Sequence, residues 1–97
     1  MSEAGEIKRM GARAHKNSGR GRYQKGDASW KNFIVDIKEA SKSFNINQEV
    51  WAKVTTDALR TDRTKSPALK IVLGETKKVR LALIEWEVLE QLLEDHA

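Results

Sequence analysis

The chain contains no cysteine and a single proline among its 97 residues, and aromatic residues make up only 6% of it. Without cysteine, neither a disulfide framework nor a thiolate metal site can form. No apolar run approaches the ~20 residues that a membrane-spanning helix needs, and the N-terminus lacks the apolar core of a secretory signal. We therefore expect one domain over residues 1–97, working in the cytoplasm without a membrane partner.

Basic and acidic residues are concentrated at opposite ends of the chain, although the net charge is only +4. Between Ile7 and Lys25 there are seven basic residues and no acid, whereas Glu85 to Ala97 holds five acids and no base. This asymmetry predicts that a polyanion such as DNA binds the basic arm, which spans about residues 7–25. The alternative is an ordinary solvated arm without a ligand.

Residues 33–38, Phe-Ile-Val-Asp-Ile-Lys, form a β-branched and aromatic run that predicts a strand. Because strand side chains alternate between faces, one face is wholly apolar and the other carries Asp36 and Lys38, about 6.6 Å apart along the strand. An acid and a base in this position are either a solvated pair or part of a catalytic site.

A chain reversal at Lys31-Asn32 would pair residues whose numbers sum to 63 and would set Asp27 directly opposite Asp36. The Cβ atoms of such a pair lie about 5 Å apart. Two carboxylates so placed repel unless a cation lies between them, and Mg²⁺ takes carboxylate, water and phosphate oxygens as ligands. A slip of one residue would move Asp27 to the other face, so the predicted metal site depends on this register.

The rest of the pattern predicts an α/β fold, a small mixed sheet flanked by helices in a single domain. Apolar periodicity predicts helices over residues 2–10, 48–62 and 85–95, and further strands over residues 68–73 and 79–83. Asn47 is a good N-cap for the second helix, and the strand over residues 68–73 should be buried on both faces. The predicted buried stripes are Val50, Trp51, Val54, Ala58 and Leu59 in the second helix, and Trp86, Leu89, Leu92 and Leu93 in the third.

The segments Lys25-Gly26-Asp27 and Val35-Asp36-Ile37-Lys38, with Asn17-Ser18-Gly19 before them and Lys42-Ser43 after them, resemble the PD-(D/E)xK nuclease superfamily. Within it, the chain is most similar to the small Holliday junction resolvase-like nucleases of phages and prophages. Gly26 stands where the motif has proline, and Asp36 replaces the more frequent glutamate. The resemblance covers about residues 18–73 and implies a restriction-endonuclease-like fold with a catalytic hairpin at about residues 25–38.

The resemblance implies that Asp27 and Asp36 hold Mg²⁺, which Mn²⁺ should replace, and that Lys38 assists the water that attacks the phosphodiester. The superfamily often places a further glutamate of the first helix in the metal site; Glu6 is the better candidate here and Glu3 the other. The implied activity is the cleavage of branched DNA by a homodimer, as a bacterial protein or a phage protein in the host cytoplasm.

The remaining candidates are DNA contacts in the arm and beyond the catalytic strand. Glycine lets backbone N–H groups approach a phosphate and arginine binds one bidentately, so residues 17–24 are interpreted as a DNA-backbone loop. The predicted DNA-binding residues are Arg13, Lys16, Ser18, Arg20, Arg22, Lys25, Lys42, Ser43 and Lys53. Two other functions stay open: a DNA-binding module without catalysis, and a nuclease for linear duplex or single-stranded DNA.

Overall fold

The computed structural model describes residues 3–11, 13–14 and 28–95 of the chain. Helices and strands in these ranges follow the predicted order, with boundaries shifted by one or two residues. The helices are α1 (Glu3–Met10), α2 (Gln48–Thr61) and α3 (Trp86–Asp95), and the strands are β1 (Arg13–Ala14), β2 (Ala28–Trp30), β3 (Phe33–Ala40), β4 (Ser66–Leu73) and β5 (Val79–Leu83).

The strands form one mixed sheet in the order β1-β2-β3-β4-β5. Strands β3 and β4 run parallel and are connected through α2, whereas the other neighbouring pairs are antiparallel. A parallel pair needs such a crossover because its second strand must start at the same end as the first. The predicted mixed α/β fold is thus confirmed, and β4 occupies the interior position that its apolar sequence indicates.

The hairpin between β2 and β3 has the predicted register. Trp30 pairs with Phe33 and Ala28 with Val35, so the partner numbers sum to 63. The turn contains no glycine, and Lys31 takes a positive φ of 53° to close it. The register prediction is therefore confirmed for the described pairs.

The two faces of the sheet pack against different helices. On one face, Val35 and Ile37 pack with Ile7 of α1; we call this the α1 face. On the other, the α2 face, Leu69 and Ile71 of β4 pack with Val54 of α2. Since Leu69 is the register partner of Asp36 and Ile71 that of Lys38, these two charged residues of β3 belong to the α2 face.

Helix α2 begins as the sequence predicts. The Val50 N–H donates to the Asn47 side-chain oxygen at 2.8 Å, which satisfies one of the free N–H groups of the first turn. Val54 and Ala58 are buried, and Trp51 packs against the leucines of the sheet rather than standing free. The prediction for Leu59 is wrong, because its side chain points away from the sheet and is 47% exposed.

The buried stripe predicted for α3 is also wrong. Trp86 is 71% exposed and Leu93 64% exposed, and no residue of this helix is buried. Helix α3 follows β5, which is the last strand of the sheet. Among the described residues, no further strand or helix covers the outer side of α3. The amphipathic pattern predicts the helix correctly but not the surface it packs against.

None of the helices in the described ranges has the length and apolar character needed to cross a membrane.

Gly74, directly after β4, is the position where the backbone most clearly requires glycine. Its φ is +112°, and an added Cβ would clash with the carbonyl oxygen of Lys77. Gly11 also has a positive φ of +72°, but an added Cβ there would meet open space. Gly74→Ala should therefore lower the free energy of unfolding by about 3 kcal/mol, and Gly11→Ala by only about 1 kcal/mol.

Urea unfolding of both variants checks this difference. Equal losses of stability would show that the backbone between Gly74 and Lys77 relaxes to admit the extra carbon.

Candidate functional site

Asp36 and Lys38 lie side by side in the middle of the sheet. Only 8% of Asp36 is exposed, and the Lys38 Nζ lies 3.7 Å from its Oδ1. Lys38 keeps 42% of its side chain exposed, so it can reach a ligand at the surface while its partner stays covered. The structure thus brings these two predicted residues together on one face.

The surroundings of Asp36 are mainly apolar, because α2 covers this face and Leu69 is its neighbour in β4. A carboxylate removed from water is costly unless a cation or hydrogen bonds compensate it. The Lys38 ammonium at 3.7 Å supplies part of that compensation. Carboxylate oxygens are also the ligands that Mg²⁺ and Mn²⁺ prefer, so Asp36 fits the predicted metal.

Much of the predicted site lies outside the described residues. This holds for the second metal ligand, Asp27, and for five of the predicted DNA contacts: Lys16, Ser18, Arg20, Arg22 and Lys25. Arg13 lies in β1, which pairs with β2. The remaining predicted DNA contacts are exposed: Lys42 and Ser43 follow the end of β3, and Lys53 lies on α2.

Glu6 occupies a different place from the predicted one. Its carboxylate is 1% exposed and receives two hydrogen bonds from Arg80, Nε to Oε1 at 3.1 Å and Nη2 to Oε2 at 3.2 Å. The Lys70 Nζ lies 2.9 Å from the same Oε1. The three residues form a buried charge cluster that ties α1 to β4 and β5; we call it the Glu6 cluster.

The Glu6 cluster lies on the α1 face, opposite Asp36. Lys70 is the register partner of Ile37, which points to α1, whereas Asp36 and Lys38 point to α2. The structure therefore does not bring Glu6 to the Asp36 carboxylate, and both Glu6 oxygens are already bound by cations. The side chain of Glu3, the other candidate, lies outside the described residues.

The bidentate hydrogen bond from Arg80 is the main reason that the pKa of Glu6 is lowered from 4.5 to about 2. Burial opposes this shift, and the hydrogen bond and charge of Lys70 support it. The carboxylate thus stays ionised inside the protein over the whole physiological pH range.

One buried acid is absent from the sequence prediction. Asp57 of α2 is 7% exposed, and within the described part of the chain no hydrogen-bond donor reaches its Oδ2. A signal for it exists in the sequence, because Asp57 falls three residues after Val54, within the apolar stripe of α2. An acid at a position that periodicity assigns to the core is a functional candidate.

Among the described residues, no group of three or more histidine, aspartate or glutamate side chains could hold a metal ion. The predicted metal site therefore depends on residues that include Asp27.

Glu6→Gln tests the structural role of the Glu6 cluster. The carboxylate contributes stability at pH values above 4.5, and this contribution is lost as the pH falls towards about 2. The shift corresponds to about 3 kcal/mol, and removing one member of a buried ion pair costs a similar amount. We expect Glu6→Gln to lose about 3 kcal/mol at pH 7 in urea unfolding, with a much smaller difference from wild type at pH 2. A loss of stability that did not change with pH would contradict the role of the charge.

Comparisons of the chain with models of known protein families, with curated proteins and with solved structures found no significant match in any of the three.

Proposed function

We propose that the protein is a metal-dependent DNA endonuclease of the PD-(D/E)xK type that cleaves branched DNA. The observation that carries the proposal is the pair Asp36 and Lys38, an acid and a base two residues apart on a central strand. The Lys38 Nζ lies 3.7 Å from the Asp36 Oδ1, so a buried oxygen ligand stands beside an accessible ammonium that could stabilise negative charge on a phosphate.

The hairpin register supports the second metal ligand. The described pairs between β2 and β3 follow the sum of 63 from which the Asp27 and Asp36 pairing was predicted. Asp27 and Asp36 would hold Mg²⁺, or Mn²⁺ in its place, and the bound ion would supply Lewis-acid polarisation of the phosphate and a more acidic water.

Lys38 would act at the edge of this site. Its ammonium is a compact positive charge on a flexible stem, and 42% of the side chain is exposed. In the free protein it lies beside Asp36; with DNA bound it would face the phosphate and stabilise the negative charge that develops during attack. This role needs no proton transfer by the lysine.

Basic residues that precede and follow the catalytic strand in the sequence would bind the DNA. The basic arm precedes it, and Lys42, Ser43 and Lys53 are exposed beyond its end. Such contacts bind the phosphate backbone without reading sequence. The choice of branched over linear DNA rests on the family resemblance.

A homodimer is part of the proposal, since two cuts in a four-way junction require two related active sites. Exposed apolar side chains support it: Val79 and Leu81 on β5 are 54% and 45% exposed, and Trp86 on α3 is 71% exposed. Beside them opens a cleft of about 350 Å³ with a mainly apolar lining that includes Leu92. The edge of β5 and α3 together form the apolar surface that a second copy would cover.

Asp27→Asn, Asp36→Asn and Lys38→Ala should each lower the rate of Mg²⁺-dependent cleavage by at least ~10²-fold. Binding of a four-way junction should survive, and the two aspartate variants should bind as tightly as wild type or more tightly, because repulsion from the phosphates is reduced. Cleavage of a four-way junction, a linear duplex and a single strand, measured in parallel, checks both the activity and the substrate.

Two matched controls lie on the same hairpin as the site. Glu39→Gln removes a carboxylate from the next residue of β3, which points to the other face, and Lys31→Ala removes a lysine from the hairpin turn. Both should retain wild-type cleavage. If wild type binds the junction but cuts none of the three substrates, the protein is a DNA-binding module without catalysis; if it prefers linear DNA, the branched substrate is wrong.

The dimer is tested by its mass and by substitution of its surface. Sedimentation at micromolar concentration should give about twice the chain mass of 11.0 kDa. Leu81→Asp should shift the protein towards monomer, whereas Leu59→Asp, at an equally exposed leucine of α2, should leave the mass unchanged. A wild-type monomer that cuts both strands symmetrically would rule out the dimer.

A further inference from the structure

Asp57 is the buried charged group of α2 that neither the fold nor the proposed mechanism explains. It is 7% exposed, and no donor in the described part of the chain reaches its Oδ2. Leaving a buried acceptor without a partner costs free energy, more so for a charged group. A ligand that binds this oxygen would offset that cost.

The path of α2 places Asp57 at the level of Asp36 along the sheet. The helix starts near the end of β3 and finishes near the start of β4, so it runs antiparallel to both strands. Val54 packs against Leu69 and Ile71, the register partners of Asp36 and Lys38. Asp57 lies about 4.5 Å further along the helix axis, towards the start of the strands, and is therefore level with the Asp36 end of this pair.

The helical phase directs Asp57 towards β3. At about 100° per residue, Trp51 and Asp57 lie about 60° to opposite sides of Val54. Trp51 packs into the cluster of leucines from β4 and β5. Asp57 therefore faces the opposite flank, where β3 lies, in agreement with the right-handed crossover that nearly all units of this kind adopt.

Two acids from different elements, Asp36 of β3 and Asp57 of α2, are buried at this interface. Asp36 and Asp57 each carry a carboxylate into the space between α2 and β3, and Lys38, with its Nζ 3.7 Å from Asp36, is the described cation beside them. As whole residues, Asp36 is 8% exposed and Asp57 is 7% exposed. Two acids in a region of low dielectric attract a divalent cation strongly.

We infer that Asp57 is a ligand of the metal site and that it reaches this site from α2. The site takes a hard divalent cation, Mg²⁺ or Mn²⁺, between Asp36 of β3 and Asp57 of α2. This inference rests on the proposed function in one respect, because both use Asp36 as a metal ligand. It can be tested separately, because metal binding can be measured without DNA. The resemblance implies that a helix supplies one acid to the metal site. With Asp57 as a ligand, that helix is α2 and not α1.

Titration with Mn²⁺ tests the inference on the full chain, with isothermal calorimetry as the readout. Asp57→Asn should raise the Kd for Mn²⁺ at least tenfold, and Asp36→Asn should do the same. Glu49→Gln removes an exposed acid from the same helix and should leave the Kd unchanged. Thermal unfolding with EDTA gives a second readout: Asp57→Asn should melt at the wild-type temperature or above, because the isosteric amide removes a buried charge without opening a cavity.

The outcomes separate this inference from the proposed function. If Asp57→Asn binds Mn²⁺ as tightly as wild type, or if wild type binds no divalent cation, Asp57 is not a metal ligand. If Asp57→Asn loses Mn²⁺ affinity while wild type cuts no DNA, the metal site stands and the nuclease proposal fails. If Asp57→Asn melts well below wild type in EDTA, the carboxylate has a structural partner and the inference is overturned.

Discussion

The structure depends on one buried ion cluster, in which Glu6 holds Lys70 and Arg80 against the α1 face of the sheet. Helix α1 has only eight residues, too few to be stable in isolation. Its apolar contacts are limited to a small cluster around Ile7. The carboxylate fixes the helix by accepting hydrogen bonds from two strands at once, and in doing so it neutralises bases that would otherwise interrupt an apolar surface.

The two faces of the sheet hold their buried acids in different surroundings. On the α1 face, one carboxylate meets two cations within 3.2 Å, so its charge is fully compensated and the contact is structural. On the α2 face, Asp36 and Asp57 share the described part of the interface with a half-exposed lysine 3.7 Å from Asp36. The buried acids of the α2 face are the ones that the proposed metal site uses, whereas Glu6 is bound within the fold.

Local pattern was enough to predict strand β3, the Asn47 cap and the hairpin register, because each depends on residues close together in the sequence. Local pattern did not predict features that depend on contacts between residues far apart in the sequence. The family resemblance implies that Glu6 lies in the metal site, and nothing near residue 6 in the sequence reveals that its partners lie at positions 70 and 80. Apolar periodicity identifies only the apolar members of the α2 stripe and so does not reveal the buried Asp57, and it does not reveal that α3 has no buried residue.

The contact between Glu6 and Arg80 spans 74 residues of sequence and therefore joins nearly the two ends of the fold. A ribosome that adds 5–20 residues per second needs roughly 4–15 seconds to make that stretch. For most of this interval neither Lys70 nor Arg80 has been made, so the Glu6 carboxylate has neither cation to hold α1 to β4 and β5. The Glu6 cluster is therefore complete only after β5 has been made, so the attachment of the first helix to the last strand comes late in synthesis.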